Sequence, residues 1–156
     1  MKFLITGADG LLGNNLVREL LDERNGHAVR VLLQPLAEGG SLSELNVEKV
    51  HADIISDVAI LDESMKGCDG VFHCAAITDL LASHEAVDLV NVTGTRNIIE
   101  SCLKNRVKRL VFVGSASSFQ FGTRHCPGDE TGGFSPTYKG MSYMESKHAA
   151  MKLVLG

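Results

Sequence analysis

A tyrosine and a lysine stand four residues apart near the end of the chain, in the stretch YMESK that runs from Tyr143 to Lys147. Residues i and i+4 share one face of a helix, so both side chains can point into the same crevice. A phenol with a pKa near ~10 is a poor base at neutral pH, and a nearby ammonium stabilises its phenolate form. The pair therefore predicts proton exchange with a hydroxyl or carbonyl group. The alternative is an exposed lysine and a half-buried tyrosine.

Two polar residues elsewhere could assist this pair. Ser117 follows the apolar run RLVFVGS and could donate its hydroxyl proton to a substrate oxygen. The neighbouring Ser115 is a competing candidate, and a serine that caps a turn is the structural alternative. Asn91 is an amide inside a helical run, and we expect it to hydrogen-bond across the sheet or to hold a water near Lys147. A solvated helix position is its alternative.

A glycine-rich stretch, TGADGLLG, places Gly7, Gly10 and Gly13 between a short apolar run and a helical pattern. In a strand, turn and helix of this kind, one glycine permits the turn, one lets a pyrophosphate approach the backbone, and one allows close packing. The N-terminus of the helix adds free N–H donors for phosphate groups. The stretch predicts a dinucleotide site, and a glycine-rich turn without a ligand is the alternative.

Two further positions bear on the dinucleotide. The residue that follows the second strand should contact the adenosine ribose, and here it is Gln34, which favours neither a free 2′-hydroxyl nor a 2′-phosphate strongly. NAD and NADP both remain open. Asp53 could accept a hydrogen bond from the adenine amino group, and a turn residue is its equal alternative.

Apolar runs alternate with helical patterns along the whole chain and must position these residues. The predicted strands are KFLIT (2–6), AVRVLL (28–33), EKVHADI (48–54), GVFHCAA (70–76) and RLVFVGS (109–115). The predicted helices extend from Leu11 to the RNG at 24–26, from a cap at Asp57 to Gly67, from about Glu85 to Lys104, and from about Met141 to the end. The third helix has its apolar side at Ala86, Leu89, Val90, Ile98 and Cys102. This alternation predicts a doubly wound α/β fold with a parallel sheet, and 119–140 is expected to be a long loop.

Composition limits the function classes. The 156 residues are 44% hydrophobic and 22% charged, as in a single globular domain. A net charge of −4 with scattered basic residues argues against nucleic acid and membrane surfaces, and no run approaches the ~18 apolar residues of a membrane span, so we expect a cytoplasmic protein. The four cysteines lack metal-ligand spacing, so no metal site is predicted.

Taken together, TGADGLLG, HADI, GVFHCAA, NVTGTRNI, LVFVGSASSFQFG and YMESK resemble the extended short-chain dehydrogenase/reductase family, the NAD-dependent epimerase/dehydratase group. The motifs occur in the family's order and span nearly the whole chain. The resemblance implies a Rossmann-type domain that binds NAD or NADP and an enzyme that exchanges hydride with the nicotinamide. Its substrate would be a small molecule, either a nucleotide sugar or a carbonyl or hydroxysteroid-like compound.

The resemblance also implies roles for individual residues. It makes Ser117, Tyr143 and Lys147 the catalytic residues, with Asn91 in support. The implied cofactor contacts are Gly7, Gly10, Leu11, Leu12, Gly13, Gln34, Asp53, Ile54, Ala75, Ala76 and Lys147. Ser117 is preferred to Ser115 because it stands five residues before Gly122, as in similar proteins.

Length is the main departure from the family, whose members are about twice as long. We therefore expect residues 1–156 to be one dinucleotide-binding domain, the N-terminal half of a longer protein that carries further strands and a substrate lobe. The family also implies a homodimer. Two other hypotheses stay open: a regulator that binds NAD(P) without chemistry, and a truncated partner subunit.

Overall fold

The structure is a computed structural model that describes residues 1–22, 24 and 26–156. Asn25, within the predicted end of the first helix, lies outside the described residues. The chain forms two compact units. We name them the sheet unit, Met1–Ala75 with Asn97–Val113, and the helical unit, Ala76–Arg96 with Gly114–Gly156. That the 156 residues act as one dinucleotide-binding domain stays a prediction.

A five-stranded parallel sheet forms the centre of the sheet unit. Its strands are β1 (Lys2–Thr6), β2 (Ala28–Leu33), β3 (Glu48–His51), β4 (Gly70–His73) and β5 (Arg109–Phe112), in the order β3-β2-β1-β4-β5. The predicted Rossmann-type α/β fold is confirmed. β3, β4 and β5 end three residues earlier than their apolar runs do. After β3, the Asp53 carboxylate accepts a hydrogen bond from the Ile55 N–H (2.8 Å), so a local turn replaces the ladder.

Three helices cover the sheet, namely α1 (Leu11–Leu21), α2 (Val58–Met65) and α4 (Thr95–Lys104). Right-handed crossovers place α1 on one face and α2 and α4 on the other. The α4 side chain of Ser101 donates to Asp62 of α2 (2.6 Å). Apolar side chains of β1, β2 and α1 bury the core on the first face: Ile5, Ala8, Val17, Val29, Val31, Leu33 and Leu42.

Both ends of α2 lie where the sequence predicts them, but the predicted cap at its N-terminus needs one correction. Gly67 adopts φ +72° just after the helix, as predicted for its C-terminal stop. Asp57 is the N-cap residue, but its side chain makes no capping bond to the helix. Its carboxylate accepts the Asp53 N–H instead (2.8 Å), because the tight turn before α2 presents that donor.

The contacts of Arg30 explain why a charged residue lies inside the apolar strand β2. Arg30 donates to the carbonyls of Ser64 and Lys66 at the C-terminal end of α2, the second at 3.2 Å, and pairs with Glu48 (2.8 Å). Carbonyls at a helix C-terminus lack intrahelical partners, so this guanidinium caps α2 from the sheet.

The helical unit corrects the prediction of a regular helix from Glu85 to Lys104. The segment comprises α3 (His84–Asp88), a π-helical stretch (Leu89–Gly94) and then α4. A π turn holds an extra residue and so shifts the helical phase. Val87 and Asn91 are each 1% exposed, whereas Leu89, predicted on the apolar side, is 40% exposed.

The rest of the helical unit consists of short turns and the last helix. The 3₁₀ turns Ala116–Ser118 and Pro136–Tyr138 precede α5 (Ser142–Leu155), which packs against α3, the π-helical stretch and the first of these turns. The predicted loop at 119–140 is thus irregular apart from one 3₁₀ turn. None of the helices in the described part of the chain is long and apolar enough to cross a membrane.

Candidate active site

The glycine loop joins β1 to α1 at the point where the strand order reverses, between β1 and β4. Gly7 has φ +64°, and a Cβ there would lie 2.7 Å from the Ala75 backbone nitrogen. A Cβ on Gly13 would lie 2.2 Å from the Gly7 carbonyl oxygen. These two glycines are therefore required by the loop's own packing, because a side chain would collide with backbone.

Gly10 differs from the other two glycines. Its φ is −77°, and a Cβ at this position would lie 3.3 Å from the Gly7 oxygen, a tight contact, with no other atom of the described residues within 4 Å. The start of α1 has no side-chain cap, and Leu11 and Leu12 are 87% and 55% exposed. An uncapped helix N-terminus behind an open glycine fits the pyrophosphate of a dinucleotide. Packing therefore constrains Gly10 less than it constrains Gly7 and Gly13.

A buried network at the ends of β1 and β4 shapes this edge and was missed at the sequence level. The Thr6 hydroxyl lies 2.7 Å from Nδ1 of His73 and accepts the Ala75 N–H at 3.1 Å. Thr6 and His73 are at most 1% exposed. The network fixes Ala75 beside Gly7. A polar threonine and histidine inside apolar strands were the available signal, since buried polar side chains need partners.

The other predicted cofactor residues of the sheet unit lie after β2 and β3. Gln34 is exposed at the end of β2. Asp53 holds a turn, with Ile55 N–H and Ser56 Oγ donating to its two oxygens (2.8 and 3.3 Å), so the structural role is observed and the adenine contact stays a prediction. Asn97, which the sequence did not single out, donates to the carbonyls of Ile54 and Ile55 (2.9 and 3.0 Å) and holds the same turn.

The helical unit contains all the predicted catalytic residues, together with Ala76. Tyr143 and Lys147 both lie in α5, one helical turn apart. Tyr143 is half-buried, and Lys147 is 3% exposed. The exposed-lysine alternative is therefore wrong for Lys147. Burying an ammonium group costs free energy, and buried charged side chains are common at functional sites, where their charge is used.

The serines after β5 have different surroundings. The Ser115 hydroxyl accepts the Ser117 N–H (3.2 Å) and caps the 3₁₀ turn. Ser118 is fully buried, and its carbonyl contacts His148 Nδ1 (2.9 Å) on α5. Ser117 is half-buried, and its hydroxyl has no hydrogen bond within the described parts of the chain. Among these three serines, the hydroxyl groups of Ser117 and Ser118 make no hydrogen bond in the described parts of the chain, and only that of Ser117 belongs to a residue that is not fully buried.

Asn91 connects the π-helical stretch to a loop and to α5. Its Oδ1 accepts the Ile77 N–H (2.8 Å), and its Nδ2 donates to the Ile77 carbonyl (3.0 Å) and to Ser146 Oγ (2.9 Å). Ser146 in turn donates to the Tyr143 carbonyl (2.8 Å). The alternative of a solvated helix position is therefore wrong for Asn91. Its hydrogen bonds lie within the helical unit, whereas the sequence predicted a bond across the sheet. Ser146, three residues after Tyr143, was not identified from the sequence.

The four cysteines differ in burial. Cys68 and Cys102 are buried, Cys74 is half-buried and Cys126 is exposed. Burial raises the pKa of the Cys102 thiol to about 12 and also raises that of Cys68. Both buried thiols therefore stay protonated at neutral pH. Among the residues that the structure describes, no group of three or more His, Cys, Asp or Glu side chains could hold a metal ion.

Comparison with known proteins agrees with the fold and the motifs. The sequence pattern of the 3-beta hydroxysteroid dehydrogenase/isomerase family matches residues 4–156. The chain is 32% identical over 161 residues to the 3 beta-hydroxysteroid dehydrogenase/Delta 5→4-isomerase of Mycobacterium tuberculosis. The alignment covers 99% of this chain and 42% of that enzyme.

Two solved structures with bound NAD share this fold. The UDP-glucose 4-epimerase of Thermus thermophilus aligns with a TM-score of 0.83 and 26% identity over 99% of this chain and 50% of that chain. The Bordetella bronchiseptica enzyme WbmG aligns with a TM-score of 0.81 and 26% identity over 99% and 49%. The chain thus spans about half the length, or less, of the proteins it matches. It belongs to the 3-beta hydroxysteroid dehydrogenase/isomerase family, within the extended short-chain dehydrogenase/reductases that its motifs resemble.

Proposed function

We propose that this chain supplies the NAD(P)-binding and catalytic residues of an oxidoreductase that interconverts an alcohol and a carbonyl compound. One observation carries the proposal. In the helical unit, half-buried Tyr143 and buried Lys147 lie one turn apart on α5, and α5 packs on the 3₁₀ turn that bears the unengaged Ser117 hydroxyl.

The sheet unit would hold the adenosine and pyrophosphate of the cofactor. Gly10 with the first N–H groups of α1 would bind the pyrophosphate, and the turn at Asp53 and Ile54 would face the adenine. Ala75, and Ala76 in the helical unit, are proposed to line the cofactor. A bound NAD(P) would supply the hydride acceptor or donor. NAD in the complexes of the epimerase and WbmG supports this assignment.

The helical unit would manage the proton. The Tyr143 phenol donates a proton to a substrate carbonyl oxygen in one direction, and its phenolate removes a proton from a substrate hydroxyl in the other. Ser117 donates a hydrogen bond to the same oxygen. The positive charge of Lys147 stabilises the phenolate that forms, and its ammonium is also a candidate partner for the cofactor ribose. Asn91 and Ser146 position the Tyr143 backbone through their hydrogen bonds.

The proposed substrate is lipophilic. The helical unit exposes large apolar side chains, including Leu80 (67%), Leu81 (95%), Phe121 (65%) and Met141 (46%). A contiguous exposed apolar patch is typical of a surface that meets an apolar ligand or partner, and we propose that these side chains contribute to one. A hydroxysteroid-like alcohol suits such side chains better than the charged diphosphate of a nucleotide sugar, which is the alternative. The name of the M. tuberculosis relative supports the same class.

The test compares the two tyrosines of the chain, Tyr138 and Tyr143. Because residues 1–156 alone are expected to lack the substrate lobe, the assay uses the longer protein that carries it. NADH formation from NAD⁺ and a 3β-hydroxysteroid is followed by absorbance. UDP-glucose is the competing substrate, and its conversion is followed by chromatography because an epimerisation forms no net NADH. Tyr143→Phe is expected to lower the rate at least about 100-fold, because it removes the acid–base group, while NADH affinity stays unchanged. Tyr138→Phe is the matched control and should keep the rate.

An active Tyr143→Phe variant would overturn the assignment. NADH binding without turnover of either substrate would instead favour the regulator hypothesis. Concentration-dependent mass in light scattering would support the hypothesis of a partner subunit or of a homodimer.

A further inference from the structure

We infer that His148 is a positioning residue of the proposed active site. It holds the 3₁₀ turn Ala116–Ser118 against α5, so that the Ser117 hydroxyl and the Tyr143 phenol can contact the same substrate oxygen. The inference rests on the proposed function, because His148 has this task only through Ser117. All of these residues lie in the helical unit.

The contact is a hydrogen bond from the imidazole to the backbone of the turn. Nδ1 of His148 lies 2.9 Å from the Ser118 carbonyl oxygen. A carbonyl oxygen can only accept a hydrogen bond, so Nδ1 carries a proton and is the donor. In the neutral ring the proton is then on Nδ1 rather than on Nε2, and in the charged ring both nitrogens are protonated. The hydrogen bond is therefore available in either protonation state.

The turn transmits this hydrogen bond to Ser117, because its backbone is closed by bonds of its own. The Ser118 N–H donates to the Ser115 carbonyl (3.0 Å), and the Phe119 N–H donates to the Ala116 carbonyl (3.2 Å). The Ser115 hydroxyl accepts the Ser117 N–H (3.2 Å). Ser118 is fully buried, and its own hydroxyl makes no hydrogen bond among the described residues. The bond to α5 thus runs through the Ser118 carbonyl, directly after Ser117.

The His148 ring also packs against aromatic side chains. Its centroid lies 4.9 Å from that of Phe134, at an interplanar angle of 41°. The Phe134 ring lies 6.5 Å from the Tyr138 ring, which lies 6.1 Å from that of Phe121. These rings belong to the segment 119–140, so the imidazole packs against that segment while its Nδ1–H bonds to the serine turn. The packing and the hydrogen bond can be separated by substitution.

His148 acts through the turn rather than on the substrate. It follows Lys147 directly, so its side chain leaves α5 about 100° around the helix axis from that of Lys147. Tyr143 and Lys147 are only about 40° apart and share a face. The Nδ1 proton of His148 is engaged by the Ser118 carbonyl. We therefore assign His148 no proton transfer.

The experiment is a double-mutant cycle between His148 and Ser117 in the longer protein that carries the substrate lobe. Oxidation of a 3β-hydroxysteroid by NAD⁺ gives kcat and KM, and a titration with NADH gives the cofactor affinity. Ser117→Ala is expected to lower kcat about 100-fold, because the reacting oxygen loses a hydrogen-bond donor. His148→Phe keeps an aromatic ring beside Phe134 but removes the donor. It should lower kcat about ten-fold, because the Ser117 hydroxyl is displaced.

The decisive result is how the two substitutions combine. In the Ser117→Ala background, His148→Phe should lower kcat less than about two-fold, because the hydroxyl that His148 positions is already absent. His148→Asn should restore most of the rate lost in His148→Phe, because its amide N–H can donate to the Ser118 carbonyl. His125→Phe is the matched control, since it makes the same substitution at an exposed histidine of the helical unit, and it should keep the rate. The NADH affinity should be unchanged in every variant.

An equal loss from His148→Phe in both backgrounds would overturn this inference, because it would show a structural role that does not involve Ser117. Full activity of His148→Phe or of Ser117→Ala would also overturn it. Tyr143→Phe is measured in the same assay. If it is inactive, these results leave the acid–base role of Tyr143 intact, whereas an active Tyr143→Phe variant would overturn the proposed function. If circular dichroism shows that His148→Phe does not fold, His148→Leu, which also lacks the donor, replaces it in the cycle.

Discussion

At the scale of single residues, Gly7, Gly10 and Gly13 share one motif but have different reasons to be glycine. At Gly7 and Gly13, a Cβ would lie within 3 Å of backbone atoms. At Gly10 it would meet only the Gly7 oxygen, at 3.3 Å. The first two glycines therefore serve the fold, and the third serves the ligand that we propose.

This difference predicts a separation of stability from binding. Gly10→Val should cost about 1 kcal/mol or less of unfolding free energy, because its backbone is extended, and should abolish NADH binding by filling the space of the pyrophosphate. Gly13→Ala should cost about 3 kcal/mol, because its Cβ would overlap the Gly7 carbonyl. Urea unfolding and NADH titration of both variants measure the two effects. Unchanged NADH affinity in Gly10→Val would mean that the loop is only a turn.

At the scale of the elements, the π-helical stretch determines how α5 is held. Asn91 is buried within the π-helical stretch, and its side chain reaches both backbone groups of Ile77 and the Ser146 hydroxyl. The elements that carry Asn91 and Tyr143 are thereby joined through buried hydrogen bonds.

This arrangement predicts a graded loss of stability. Asn91→Ala removes three hydrogen bonds of a buried side chain and should lower the free energy of unfolding by about 2 to 4 kcal/mol, because partners lose their bonds inside the protein. Ser146→Ala removes two hydrogen bonds, one from Asn91 and one to the Tyr143 carbonyl, and should cost about 1 to 2 kcal/mol. Hydrogen exchange of the Ile77 amide is the specific measurement. It should be accelerated in Asn91→Ala and nearly unchanged in Ser146→Ala. Equal stability of the two variants would contradict this account of the Asn91 hydrogen bonds.

At the scale of the whole molecule, ion pairs on the sheet unit link stability to pH. Hydrogen bonds from Arg30 and then Lys2 lower the pKa of Glu48, those from Lys104 and then Ser101 lower that of Asp62, and those from Lys108 and the Lys2 N–H lower that of Asp69. A carboxylate whose pKa is lower in the folded state stabilises the protein above its unfolded pKa, and this stabilisation disappears as pH falls through the folded value.

We therefore expect stability to fall as the pH drops below about 4, where ordinary carboxyl groups begin to protonate. Asp62→Asn should be less stable than the unaltered chain at pH 7, and the difference should be smaller at pH 3. Glu44→Gln changes an exposed carboxylate that has no ion pair within the described residues, and it should follow the unaltered chain at both values. The midpoints of urea unfolding at the two pH values measure these differences in stability. A constant gap between Asp62→Asn and the unaltered chain would contradict the linkage.

The sequence by itself determined the fold class and the order of elements. Strand-length apolar runs and helical periodicities depend on local spacing, so β1 and β2 have their predicted bounds, and α5 begins one residue after its predicted start. The glycine spacing and the pair Tyr143 and Lys147 are local patterns too, and they placed the chain in its family before any geometry was considered. That these residues perform the proposed roles stays a prediction.

Only the tertiary structure decided which residues support these patterns. The bonds of Thr6 to His73 and Ala75 join residues 67 and 69 positions apart, and Asn91 meets Ser146 across 55 positions. No local periodicity encodes such pairs, because they form when crossovers bring separate segments together. The π turn, the burial of Lys147 and the difference between Gly10 and its neighbouring glycines likewise follow from packing. A sequence pattern states which side chains are present, and the packing of distant segments determines which of them are buried, bonded or left open to a ligand.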